Sequence, residues 1–173
     1  MSVRRHAFWM ITLAGLVAHG LGTADAEERV LRSTKGLPPV VGAAEIFLRD
    51  DQTGLALNGY DPLTYFMVDG PRPGSRDQEI VWAGVAWRFS SPANRVAFER
   101  NPTAFAPRIG GYDAEAASRG LIVDANPAIY LVRSGRLYLF RNDANRARFL
   151  ADEALAGRAE EQWSVLSRRL VQP

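Results

Sequence analysis

The chain contains no cysteine, and its two histidines, His6 and His19, both lie within the first twenty of its 173 residues. Removal of residues 1–26 as a signal peptide, argued below, leaves a mature chain with neither residue type. This excludes Cys–His and Ser–His dyads, the usual zinc and copper ligand sets, thiol redox chemistry and disulfides. The only lysine, Lys35, precedes the predicted domain, and no spacing of acids indicates an acid–base pair. We therefore predict a protein that is not an enzyme, with no catalytic residue, no metal ligand and no cofactor.

The start of the chain is typical of an export signal. Arg4 and Arg5 precede an apolar stretch over 7–17, and Ala24-Asp25-Ala26 matches the small-x-small cleavage pattern. A membrane anchor is the alternative, but the stretch is shorter than the roughly 18 apolar residues that a span requires. We predict cleavage after Ala26, a periplasmic or secreted location, and no membrane span after cleavage.

The mature chain is nearly neutral. Removing Arg4, Arg5 and Asp25 leaves 19 of the 21 basic residues and 18 of the 19 acidic ones. The arginines are scattered among acids, so no nucleic-acid surface is indicated. About 147 residues suit one domain with its own core.

Two hairpins dominate the predicted fold. Residues 27–54 are predicted to form an N-terminal arm or linker, and residues 55–173 one domain. Strands over 80–82 and 85–89 flank Ala83-Gly84, and strands over 129–132 and 137–140 flank Ser134-Gly135. The predicted class is α+β, with a small antiparallel sheet from two β-hairpins, short helices and a C-terminal packing helix.

The helix signals are local. Ser91 and Pro92 predict a cap and first turn, Pro102 predicts an end near Asn101, and Asn142 predicts a second cap. The last segment places apolar residues on one helical face, at Leu155, Ala159, Trp163, Leu166 and Leu170. Packing on the domain is the preferred interpretation of this face, and membrane-surface binding is the alternative.

The order and spacing of several short motifs resemble the YHS domain, in particular the exported bacterial YHS-domain proteins. The resemblance runs from about Leu55 to Leu166. It rests on Gly59-Tyr60-Asp61-Pro62, Tyr65-Phe66, the segment from Trp82 to Phe98, Asn101-Pro102, Phe105, Gly110-Gly111-Tyr112 and the Leu137-Tyr138-Leu139 strand.

This chain departs from the family where metal-associated members carry reactive residues. Arg88 stands at the histidine position, and Ser90 and Asn94 stand at two cysteine positions. Thr64 replaces a further cysteine, and Asp113 replaces a cysteine or selenocysteine of exported members. Hydroxyl and amide groups do not replace thiolate as soft-metal ligands, so the metal and redox functions of the family are not expected here.

Four residues near the motif glycines are candidate ligand-binding residues: Tyr60, Asp61, Tyr112 and Asp113. Aromatic walls with a few polar groups are typical of small-molecule sites, and the carboxylates, with Glu115, suit a hard cation such as Ca²⁺. The structural alternative has the tyrosines in the core, Asp61 capping a helix, and Asp113 and Glu115 at the exposed start of another helix. Arg108 and Arg88 are weaker candidates for binding an anion.

These observations predict a non-enzymatic periplasmic binding or interaction module of the YHS type that lacks the soft-metal ligands, with an unidentified protein or small-molecule partner. One alternative is a small-molecule or hard-cation site near the four candidate residues. The second is an accessory protein of a redox or metal-handling system, which the resemblance alone implies.

Overall fold

The computed structural model describes residues 46–171, without the side chain of Val171. The predicted signal peptide (1–26), its cleavage site and most of the predicted arm lie outside the described residues. The described part belongs to one compact unit.

Each predicted hairpin forms, but each forms its own sheet. Strand β1 (Ser75–Trp82) pairs with β2 (Val85–Phe89), and β3 (Asn126–Arg133) pairs with β4 (Arg136–Phe140), both antiparallel. The two-residue turns have positive φ throughout, 50° and 82° at Ala83-Gly84 and 52° and 69° at Ser134-Gly135. Such turns match the right-handed twist of the flanking strands. The α+β class is confirmed, but the strands make two two-stranded sheets rather than the single small sheet that was predicted.

Five α-helices connect and cover the hairpins. They are α1 (Pro92–Arg100), α2 (Pro102–Phe105), α3 (Ala114–Ser118), α4 (Asp143–Ala151) and α5 (Ala154–Val171), with two 3₁₀ turns at Leu57–Gly59 and Thr64–Phe66. The predicted caps are confirmed, because Ser91 accepts from the Asn94 backbone N–H and Asn142 from that of Asn145. Helix α1 ends at Arg100, and Asn101 after it is non-helical, because the residue before a proline is disfavoured in the α region.

The domain contains two copies of one structural unit, over 55–105 and 107–151. Both carry Gly-Tyr-Asp before a hairpin, and both carry the pattern Phe-x₄-Asn-Arg-x₂-Phe after it, at Phe89–Phe98 and Phe140–Phe149. The backbone follows the same equivalence. Ala56 N–H donates to Ala86 C=O at 2.9 Å, and Arg108 N–H donates to Leu137 C=O at 2.9 Å.

The two units contribute different faces to the contact between them, so the second sheet is covered on both faces and the first sheet is not. In the second unit both sheet faces are covered, and the last four residues of β4 are all buried. One of those faces packs on the first unit, where the Tyr65 ring meets the Tyr130 ring edge-on at 5.1 Å. The equivalent outer face of the first sheet lacks such a cover, so Val81 is 70% exposed there.

Residues just before the predicted domain start also belong to the fold. The Phe47 ring packs against those of Trp82 and Trp87, with centroids 5.1 and 5.4 Å apart. Leu48 N–H donates to Gly110 C=O at 2.7 Å. The globular part therefore begins before Leu55, and the last residues of the predicted arm are part of it.

Helix α5 covers the second unit with the face that was predicted. Ala159 and Leu166 are buried, and Leu155, Trp163 and Leu170 pack partly buried beside them. The Trp163 ring lies 5.5 Å from the Tyr112 ring. Among residues 46–171, no helix has the length and apolar content that crossing a membrane requires.

Candidate functional site

Asp61 lies at the centre of a buried polar cluster in the first unit. Its Oδ1 accepts a hydrogen bond from Leu63 N–H at 2.9 Å. Its Oδ2 accepts from the backbone N–H and the Oγ hydroxyl of Ser90, both at 2.7 Å, and from Asn94 Nδ2 at 2.7 Å. The side chain is fully buried. Asp61 thus ties the segment before the hairpin to the start of α1.

Asp113 has the equivalent position in the second unit. Its Oδ1 accepts from Ala116 N–H at 2.8 Å and so caps α3. Its Oδ2 accepts from Arg141 N–H at 2.6 Å and from Asn145 Nδ2 at 2.7 Å. Asp113 therefore begins a helix, as the structural alternative had it, but it is fully buried and not exposed. We call each of these aspartate–asparagine arrangements an Asp clasp.

The first Asp clasp shows what Ser90 and Asn94, two of the positions singled out in the sequence, do in this chain. Ser90 and Asn94 do meet in space, as ligands of one site would, but both donate hydrogen bonds to Asp61. Thr64 is buried beside them, and its hydroxyl bonds the Asp61 carbonyl at 2.7 Å. Arg88 instead forms an ion pair with Glu79 at 2.8 Å on the outer sheet face.

The four candidate ligand-binding residues are divided between the units. Tyr60 packs partly buried on the core of the first unit, whereas Tyr112 is buried in the core of the second. Each tyrosine precedes the aspartate of its own Asp clasp. A ligand role for the four stays a prediction, and the geometry does not favour it, because both carboxylates are buried and already accept hydrogen bonds from protein donors. Within residues 46–171, no three acidic, histidine or cysteine side chains are grouped as a metal site would require.

Glu115 extends the second Asp clasp toward the surface. It is buried, contrary to the exposed position predicted for it. Its carboxylate pairs with Arg119 at 2.9 Å and with Arg148 at 3.1 Å. Arg148 also donates to the Asn145 side-chain oxygen, so Asp113, Asn145, Arg148 and Glu115 form one continuous network.

A second polar cluster joins α5 to the second hairpin. Glu160 on α5 accepts from Arg108 at 3.1 and 3.3 Å, from Arg136 at 2.9 and 3.0 Å, and from the Tyr138 hydroxyl at 2.6 Å. Burial acts to raise the pKa of Glu160, but the hydrogen bonds from Arg108 and Tyr138 and the arginine charges outweigh it, so the pKa is lowered. Burial, followed by the bond to Glu160, raises the pKa of Tyr138.

Neither the duplication nor the Glu160 cluster was identified in the sequence analysis. The duplication has a sequence signal, the repeated Gly-Tyr-Asp and Phe-x₄-Asn-Arg-x₂-Phe patterns about 51 residues apart, which self-comparison of the chain would detect. The Glu160 cluster has no comparable signal, because its members come from a loop, a strand and a helix. Comparison of the chain with family models, curated proteins and solved structures finds no match.

Proposed function

We propose that this protein is a non-enzymatic periplasmic binding or interaction module of the exported YHS type, without the soft-metal chemistry of its cysteine-bearing relatives. The observation that carries the proposal is the burial of Asp61 and Asp113. These are the acids at the motif positions, and both are fully buried and hydrogen-bonded to protein donors.

The donor set at the motif positions supports the same proposal. Ser90 and Asn94 supply a hydroxyl and an amide, which are poor ligands for zinc or copper(I). Both side chains donate hydrogen bonds to Asp61. A carboxylate that already accepts several protein hydrogen bonds is poorly placed to act as a base or to bind a cation. The residues that carry chemistry in relatives therefore serve here to hold the fold.

Export and metal content can be tested on one preparation. The full-length chain is expressed with its leader, recovered from the periplasm, and analysed by N-terminal sequencing and elemental analysis after dialysis against zinc and copper(I). We expect a mature start at Glu27 and far less than one metal ion per chain. Stoichiometric zinc or copper would contradict the proposal, and retention in the cytoplasm with an intact leader would contradict the location.

The interaction role is tested by site-specific photo-crosslinking in the native cell. Val68 is fully exposed in a turn and Val81 lies on the outer face of the first sheet. Isolated exposed valines are common on proteins, so they serve as probe positions and do not by themselves identify an interface. We expect a cross-linked species of defined mass from one probe position and none from exposed Glu153, the control. The absence of any discrete adduct from both valines would count against an interaction module.

A further inference from the structure

Three arginines lie at the end of the second hairpin, and two of them, Arg108 and Arg136, pair with the same acid, Glu160. Arg133 and Arg136 are directly opposite each other across the turn of β3 and β4. Like charges placed opposite each other in a strand pair destabilise it. Arg108 joins them through Glu160, which it shares with Arg136. The group has three positive charges and one negative charge.

The donors of these arginines are only partly used. Arg133 donates through Nη2 to the Leu150 carbonyl at 3.2 Å, and its guanidinium lies 5.4 Å above the Phe149 ring. Its Nη1 is buried and has no hydrogen-bond partner among the residues that the structure describes. A buried donor without an acceptor is costly, so an acceptor at this point would stabilise the site.

The packing of α5 does not require this excess of positive charge. On the first hairpin a single arginine balances a single carboxylate, in the Arg88–Glu79 pair. Glu160 instead pairs with two arginines, as Glu115 does. The first unit has apolar Trp82 and Val85 at the positions equivalent to Arg133 and Arg136. The second unit therefore carries two extra cations at a place where the same backbone accepts apolar residues.

We propose that Arg108, Arg133 and Arg136 form a binding site for a small oxyanion, a phosphate or carboxylate group. A guanidinium group binds a phosphate or a carboxylate through paired N–H donors. The side chains of Arg136 and Arg108 are 51% and 36% exposed, so a dissolved anion can reach them. Glu160 is the positioning residue, because it orients two of the arginines while leaving a net positive charge. The bound oxyanion would offset that charge, and a shift of the Arg133 side chain toward it would give the buried Nη1 an acceptor.

The site does not depend on the proposed interaction role. Its arginines are not among the residues of the Asp clasps, and neither crosslinking position is part of it. Failure of oxyanion binding would leave the interaction module standing, and absence of a protein partner would leave this site standing.

Calorimetric titration of the mature protein with inorganic phosphate tests the proposal, with a parallel titration of succinate as the carboxylate probe. Sodium chloride keeps the ionic strength constant, because exposed ion pairs are screened by salt. We expect saturable binding of one oxyanion, with Kd of millimolar order, in at least one of the two titrations. The probe that binds distinguishes a phosphate site from a carboxylate site.

Matched variants decide whether the arginines are responsible. Arg136→Gln and Arg108→Gln should each weaken binding at least tenfold, and Arg88→Gln, which removes an arginine from the balanced pair, should leave it unchanged. Urea unfolding of each variant confirms that it is folded. No saturable binding of either probe, or equal binding by wild type and Arg136→Gln, would overturn the proposal.

Discussion

Replacing Asp61 by asparagine tests whether the Asp clasp stabilises the first unit. The change keeps the size of the side chain and removes its charge. Asparagine has one acceptor oxygen, whereas Asp61 uses both of its oxygens. If the amide oxygen faces Ser90 and Asn94, the amide N–H₂ group faces the Leu63 N–H. If the amide is turned round, its N–H₂ group faces the donors of Ser90 and Asn94 instead.

The expected cost follows from this mismatch. Hydrogen bonds to a charged group contribute about 1.5–3 kcal/mol each, and a buried donor left without a partner costs about 1–3 kcal/mol. Asp61→Asn loses at least one such bond at Leu63 and weakens the three at Oδ2. We therefore expect the free energy of unfolding to fall by about 3 kcal/mol, a large part of the stability of a domain of this size.

Equilibrium urea unfolding of the mature chain, followed by tryptophan fluorescence, measures this change. The control is Asp69→Asn, which removes an equally charged but exposed partner of Arg72 and should cost less than about 0.5 kcal/mol. A loss below about 0.5 kcal/mol for Asp61→Asn would refute the structural role of the Asp clasp.

A double-mutant cycle tests whether the two Asp clasps are separate. Asp61 and Asn94 share a hydrogen bond. We therefore expect a coupling energy of about 1 kcal/mol or more between the substitutions Asp61→Asn and Asn94→Ala. Asp61→Asn and Asn145→Ala belong to different clasps and should be additive within about 0.5 kcal/mol. Equal coupling in both pairs would show that the assignment to two units is incorrect.

Three further predictions concern the core, the acid cluster and the glycines. Phe149→Ala removes a fully buried ring and should cost about 3–5 kcal/mol in urea unfolding, and a cost below 1 kcal/mol would contradict its core position. The folded pKa of Glu160 lies below its usual value of 4.5, so its stabilising contribution is present above that pH and is lost as pH falls through the folded pKa. Acid titrations should therefore show a smaller loss of stability below pH 4.5 for Glu160→Gln than for wild type, and identical curves would contradict the assignment. Gly157→Ala, in an open position within α5, should stabilise by about 0.5–1 kcal/mol, whereas Gly110→Ala should prevent normal packing, because φ there is +61° and a Cβ would collide with the Ile46 carbonyl. Thermal melts of both glycine variants check this contrast, and equal melting temperatures would refute it.

Much of the secondary structure could be predicted because its signals are local. Ser91 and Asn142 cap helices through their own side chains, and the glycines of the two hairpin turns suit the positive φ found there. The apolar spacing of α5 identified its packed face without knowledge of what lies beneath it. These features depend on neighbours within a few residues, so the chain alone specifies them.

The sites were less predictable because they depend on distant residues. Asp61 is 33 residues from Asn94, and Asp113 is 32 residues from Asn145. The sequence suggested that both aspartates bind a ligand, or that Asp61 caps a helix and Asp113 lies at the exposed start of another. In the structure each is buried among protein donors. The burial and hydrogen bonding of each aspartate were decided by how distant segments of its own unit pack together.

The sequence by itself determined the lack of cysteine in the chain and of histidine after His19, the helix caps and the two hairpins, since these follow from composition and short-range backbone preferences. Only the tertiary structure decided that Asp61 and Asp113 hold the fold, that the hairpins form separate sheets, and that Arg108 and Arg136 meet at Glu160. The physical reason is that buried charges must find partners, and those partners come from segments that only folding brings together.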